Sequence, residues 1–239
     1  FNKYSGRKIS AIFPVHVFGL PADIFSIKKI ADEWDIQIVE DAAEALGSRH
    51  KRKNDFIHCG LSGQIGCLSF NGNKVITTGG GGALITNNKK LAIRARHLSS
   101  TAKVKHKWDF YHDEIGWNDR MPNINAALGF AQIEKLENRL KTKRELFIKY
   151  QKEFEKFNNI ELIFETKNSI SNYWLVALRF INEKSELNNK CINSLLRESH
   201  AKGILLRPLW RLLHTLPMYS DNPRGNLSIA EFEEKRILN

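Results

Sequence analysis

Cysteine is scarce in this chain: Cys59, Cys67 and Cys191 stand far apart, and no Cys-x-x-Cys pair occurs. That spacing fits reduced thiols better than a disulfide framework or a cysteine-based metal site. Long apolar runs are missing too, so nothing here reads as a membrane span, and the first residues lack a signal-peptide pattern. Zinc-finger, RRM and homeodomain patterns are likewise absent, which leaves the basic excess without a nucleic-acid-binding framework. No internal repeat or low-complexity tract breaks the sequence. These absences point to a cytoplasmic protein that is neither membrane-bound nor a nucleic-acid reader.

What remains is an ordinary globular composition, 42% hydrophobic and 26% charged, in 239 residues. That length builds one large domain or two modest ones. The net charge of +11 favours contact with anions such as phosphates. Most lysines and arginines are scattered through helical segments, although residues 141–144 are locally dense, and a solvated helical face accounts for them.

Apolar periodicity gives the order of elements. Residues 11–15 form a short run punctuated by Phe18-Gly19 and Pro21. Ile24, Ile27, Ile30, Ala31 and Trp34 recur at helical spacing, and residues 36–39 read as a second strand. Strand, helix and strand within about thirty residues make a βαβ unit with a parallel sheet and right-handed crossover. Further strands are expected at 65–70 and 83–86, a basic helix at 88–98, an irregular stretch at 97–113, and a helix at 122–136 opened by Pro122. A charged helix at 137–157 is expected to contain the domain boundary. Strands at 160–164, 173–180 and 204–206 with a helix at 185–201 predict a small α/β domain after it.

In open sheets of this class ligands sit beyond the carboxyl ends of the strands. His16, Asp41 and Lys74 each lie just past such an end. Lys74 stands between the run 65–70 and four consecutive glycines, Gly79 to Gly82. Glycine is used where backbone bends sharply or approaches something closely. An ammonium in apolar surroundings is costly to bury unpaired, so a lysine so placed is a candidate nucleophile or base. It also reads as a surface lysine beside a tight hairpin. Asp41 has a local explanation as well: Asp-Ala-Ala-Glu44 is a helix-start signature, with Asp41 as the cap.

Four segments in order narrow the choice: Pro14-Val-His-Val-Phe-Gly19, Glu40-Asp-Ala-Ala-Glu-Ala-Leu-Gly47, Ser69-Phe-Asn-Gly-Asn-Lys74 with its glycines, and Gly116-Trp-Asn-Asp-Arg-Met-Pro122. Together they resemble the DegT/DnrJ/EryC1/StrS family of pyridoxal-phosphate (PLP) sugar aminotransferases. The likeness is greatest to the branch that aminates C4 of nucleotide-linked 4-keto-6-deoxy sugars, of the legionaminic acid and bacillosamine type. The resemblance implies an α/β fold of the fold type I PLP-dependent transferases. Residues 1–140 would belong to the large α/β/α cofactor domain with its mainly parallel sheet, and residues 141–239 would form the small C-terminal domain.

It also implies roles. Lys74 would form the internal aldimine with PLP, Asp41 would pair with the pyridinium nitrogen, and Glu44 would lie near the ring's 3-hydroxyl. Ser69 would bind the phosphate, and Asn118 would reach the phosphate of the neighbouring subunit in a homodimer with shared sites. His16, Arg207 and His214 are the candidate contacts to the nucleotide-sugar substrate, with L-glutamate as amino donor. A lysine at position 74 separates the chain from family members that dehydrate at C3, which carry histidine there. The chain opens on Phe1 and stops at Asn239 inside a helical pattern, so truncation at both ends is expected. The family's N-terminal phosphate loop and ring-stacking aromatic have no counterpart in these residues, and the alternative function is an inactive remnant that only binds or dimerises.

Overall fold

The β-branched and acidic run Gln-Ile-Val-Glu-Asp folds as the central strand on which the site is built. In the computed structural model, which describes residues 1–52, 54–181 and 185–239, the chain divides into two units. The larger comprises residues 8–144 and 165–174; the smaller takes residues 1–7, 145–164 and 175–239.

The larger unit begins with β1 (Ala11–Ile12), a 3-10 turn (Val17–Gly19), α1 (Ile24–Glu33) and β2 (Gln37–Asp41). A hairpin, β3 (Arg49–Arg52) and β4 (Asp55–His58), precedes β5 (Ile65–Ser69) and β6 (Gly82–Ile85). The main sheet has the order β1-β2-β5-β6; β1, β2 and β5 run parallel and β6 is antiparallel. In the register of the central pair Val39 faces Ile65 and Asp41 faces Cys67. Helix α1 is capped by Asp23, whose carboxylate accepts the Ser26 N–H at 3.2 Å, and it packs Ile24 and Ala31 on Ile38 of β2. The βαβ unit is therefore present as the periodicity predicts. Helices α2 (Lys89–Leu98), α3 (Asn123–Ile133) and α4 (Leu136–Phe154) follow, and the division between the units falls within α4.

The smaller unit contains β7 (Ile160–Leu162). The chain then returns to the larger unit as β8 (Ser169–Ile170), which pairs with β3, before β9 (Leu178–Phe180) and α5 (Ser185–Ala201). Helix α6 (Ser228–Glu234) and β10 (Ile237–Leu238) end the described chain, and β10-β9-β7 make an antiparallel sheet over Phe180, Ile192 and Leu238.

Four expectations are corrected. No helix follows Asp41: residues 42–47 are turns, closed by Gly47 at φ 87°, where an added Cβ would lie 2.5 Å from Leu140 Cδ1. The strand expected from residue 173 starts only at Leu178, because Tyr173 adopts φ 46°, which no extended strand accommodates. Residues 204–206 are not a strand either. Pro208 cannot donate to a ladder, and what forms instead is a bridge from Pro208 to Leu238 with paired hydrogen bonds between Arg207 and Asn239. The final residues, expected to be helical, form β10.

Candidate active site

Glu40 fixes the end of β2. Its carboxylate is fully buried and accepts four hydrogen bonds: His16 Nε2 at 3.0 Å, and the backbone N–H groups of Gly60, Ser62 and Gly63 at 2.8, 2.7 and 2.6 Å. Burial pushes this carboxyl up, but the His16 ring and the N–H groups of Gly60 and Gly63 more than offset it, and its pKa lies below the usual range. His16 Nδ1 accepts the Ala22 N–H at 3.0 Å, which leaves Nε2 to carry the ring hydrogen toward Glu40. The ring is fully buried and both nitrogens are engaged. His16 thus has neither surface nor nitrogen to offer a substrate, and its work here is to lock the start of α1 to β2.

The next residue, Asp41, is half-buried at the carboxyl end of β2. One of its oxygens accepts the Ala43 N–H at 3.0 Å, which turns the chain and sends Glu44 back toward the same rim. Glu44 does not complete a capping box; its Oε2 accepts the Phe18 N–H at 2.7 Å instead, with Phe18 held at φ 58° in the 3-10 turn. Asn172 secures this layer by donating to the carbonyls of Glu44 and Leu46.

Lys74 follows β5 in a loop that is pinned at both ends. The Phe70 carbonyl receives the Thr78 N–H and the Thr77 hydroxyl, and the Phe70 N–H reaches the Gly81 carbonyl. Buried Val75 and Ile76 anchor the middle, while Gln132 and Asn125 of α3 hold Thr77 and Thr78. The loop conformation is therefore imposed by packing, with Lys74 on its rim. The Lys74 side chain is 13% exposed; its Nζ lies 3.7 Å from Glu44 Oε1 and 3.9 Å from the centre of the Trp174 ring. Burial raises the Glu44 pKa above the usual carboxylate range, with the Phe18 N–H and the Lys74 ammonium offsetting part of that. Asp41 adds to the rise as a like charge, which places its carboxylate in the same electrostatic neighbourhood. Ser69 ends β5 half-buried, two residues past the partner of Asp41, and its hydroxyl accepts the Asn71 N–H at 3.3 Å.

The structure thus brings Asp41, Glu44, Ser69 and Lys74 to one end of β2 and β5. Asn118 belongs to the same unit but is exposed, bridged to Ser100 in the irregular stretch before α3. Arg207 and His214 belong to the smaller unit. Arg207 is exposed, and His214 Nε2 lies 2.9 Å from Glu231 Oε1. An open groove of about 1210 Å³ runs elsewhere over the larger unit, lined among others by Cys67, Phe70, Leu84, Ala95 and Met121. Asp41, Glu44 and Lys74 do not line it. Convergent chemistry rather than void volume locates the site, because Lys74 and Glu44 meet at the strand ends that carry Asp41 and Ser69, outside that groove's lining.

The donor set fits PLP: an amine for the aldehyde, a carboxylate for a protonated ring nitrogen, and a hydroxyl at a strand end for the phosphate. Sequence reasoning missed Trp174. It sits a hundred residues from Lys74 in a segment that reads as a packed strand, and no local spacing joins the two.

Residues 4–239 match the DegT/DnrJ/EryC1/StrS aminotransferase family. The chain is 37% identical over 217 residues to GDP-perosamine synthase of Escherichia coli O157:H7, covering 90% of this chain and 56% of that protein. It is 34% identical to UDP-4-amino-4,6-dideoxy-N-acetyl-beta-L-altrosamine transaminase of Campylobacter jejuni, over 75% of this chain and 48% of that one. The chain therefore spans about half the length of these curated relatives. A solved DegT DnrJ EryC1 StrS aminotransferase from Brucella abortus superposes with a TM-score of 0.81 at 26% identity, covering 96% of this chain and 58% of the other. The aminotransferase PseC of Helicobacter pylori shares the fold, with a TM-score of 0.85 at 22% identity over 96% and 60% of the two chains. Among the described residues no helix is long and apolar enough to cross a membrane.

Proposed function

Since this chain belongs to the DegT/DnrJ/EryC1/StrS aminotransferase family, we propose that it is all or part of a cytoplasmic PLP-dependent transaminase. It moves an amino group from L-glutamate to C4 of a nucleotide-linked 4-keto-6-deoxy sugar, for surface polysaccharide or glycan synthesis. The observation that carries this reading is the convergence of Lys74, Glu44 and Asp41 at the carboxyl ends of two parallel strands. The names of the two curated relatives support the substrate class.

PLP, when bound, supplies an electron sink for the carbon that loses its proton. Lys74 would hold the cofactor covalently, and its freed Nζ takes the proton from the donor's Cα and returns one, as general base and then acid. The Asp41 carboxylate holds the proton on the ring nitrogen, Glu44 orients the Lys74 amine, and Ser69 would hold the phosphate. Arg207 and His214 are kept as proposed contacts to the sugar nucleotide; His16 is not, because its ring is sealed.

Asn118 is assigned to the phosphate of a second subunit, in a homodimer with shared sites. Exposed apolar side chains support such an interface: no residue of α3 is buried, Ile124 is 84% exposed and Phe130 68%. Burying a face of this kind is what obligate interfaces do.

Borohydride reduction of the protein incubated with PLP, followed by peptide mapping, tests the reading. A pyridoxyl adduct confined to Lys74 is expected. No adduct would overturn the enzyme reading and leave a remnant that only binds or dimerises.

A further inference from the structure

Trp174 is 5% exposed and its orientation is over-determined. Its N–H is held by Asn172 Oδ1 at 2.8 Å, its carbonyl by Lys143 Nζ at 3.0 Å, and its indole N–H donates to the Asn73 carbonyl at 2.7 Å. That last bond clamps the residue immediately before Lys74. The ring face it leaves is turned to Lys74 Nζ, 3.9 Å from the ring centre, rather than being spent wholly on packing. On the Glu44 side the amine meets a carboxylate at 3.7 Å, itself fixed by the Phe18 N–H.

A lysine side chain has four rotatable bonds and no preferred direction of its own. A cation over an indole face is held by the ring quadrupole, most firmly when water is largely excluded. We propose that Trp174 is a positioning residue for Lys74: its indole face and the Glu44 carboxylate cage the free amine at one place on the rim. The clamp on Asn73 sets the backbone from which that amine projects. This rests on the reading of Lys74 as the cofactor-binding amine.

Two readouts test it. In the cofactor-free protein, trace acetylation with acetic anhydride and peptide mapping compares Lys74 with exposed lysines such as Lys89 and Lys90. In the presence of PLP, timed borohydride trapping gives the rate of adduct formation at Lys74. Trp174→Leu opens one side of the cage, so Lys74 acetylation is expected to rise about three- to ten-fold while adduct formation slows about ten-fold. Those opposite movements are what loss of position predicts, whereas a packing role alone, by uncovering Lys74, would raise both rates. Trp174→Phe keeps a ring face but loses the N–H to Asn73, so its Lys74 acetylation and adduct rate are expected to fall between those of the parent and leucine proteins.

Incorporation of 5,7-difluorotryptophan preserves shape and the indole N–H while weakening the ring face, so it covers the case in which the leucine variant does not fold. Lys74 acetylation should then rise about two-fold or more. Unchanged Lys74 acetylation in the leucine and fluorinated proteins, with an adduct still forming at Lys74, overturns this proposal alone. Absence of any adduct in the parent protein overturns the functional reading and this proposal with it.

Discussion

Replacing Glu40 by Gln changes one oxygen to an NH₂ group and leaves the volume the same. The consequences follow from the four donors around it. Oε1 accepts from Ser62 and Gly63, and Oε2 from Gly60 and His16. An amide can keep its oxygen toward the first pair, but its NH₂ then faces the Gly60 N–H. It also faces His16 Nε2, which cannot turn acceptor without moving the ring hydrogen to Nδ1, where Ala22 already donates. One buried backbone donor is orphaned at about 1–3 kcal/mol, and one charge-assisted bond is lost at about 1.5–3 kcal/mol. Local relaxation recovers some of this, so a loss of about 3–4 kcal/mol is expected. That is a large share of the usual stability of a domain. Urea unfolding at pH 7, followed by far-ultraviolet circular dichroism, measures it. A loss below about 1 kcal/mol with an unchanged m-value would refute the reasoning, because it would mean that the network accommodates a donor.

Two further outcomes are expected. Asp41→Asn keeps an oxygen for the Ala43 N–H, so the unfolding midpoint should move little while transamination falls about a hundred-fold or more, read by single-turnover kinetics with glutamate. A stability loss matching the activity loss would instead assign Asp41 to the turn alone. His50 is buried, and burial, reinforced by the neighbouring His16 ring, pushes its pKa down to about 4. The unfolded chain protonates this group near 6.5 while the native one does not, so stability is complete above 6.5 and declines as pH falls toward 4. Between pH 6.5 and 5 the loss is about 1.6 kcal/mol. His58, also lowered by burial, adds to the slope, so His50→Gln should flatten it in part. A slope unchanged by that substitution would exclude His50 as its source.

Local chemistry was enough to read several things from the sequence. The spacing of Ile24, Ile27, Ile30, Ala31 and Trp34 gave the helix, and Ile24, Ile27 and Ala31 do pack on the sheet, whereas Ile30 and Trp34 are exposed. The run from Ile65 to Phe70, ending before the Asn-Gly pair, read as a strand with Lys74 just past its end, and the strand observed is Ile65–Ser69. Asp41 and Lys74 could be assigned to one rim from strand direction alone.

Tertiary structure decided the rest. Asp-Ala-Ala-Glu reads equally well as a helix start. What settles it is Gly47 in a left-handed conformation against Leu140 and a Phe18 N–H waiting for the Glu44 carboxylate. His16 stands at a strand end like Asp41, yet its neighbours close over it, because the buried Glu40 charge needs a donor there. Trp174 meets Lys74 only because residues 165–174 fold with the larger unit. Periodicity reports which face of an element is apolar. It carries no information about which distant segment returns to cover a given lysine, and that is fixed by the loop closure and packing of the whole chain.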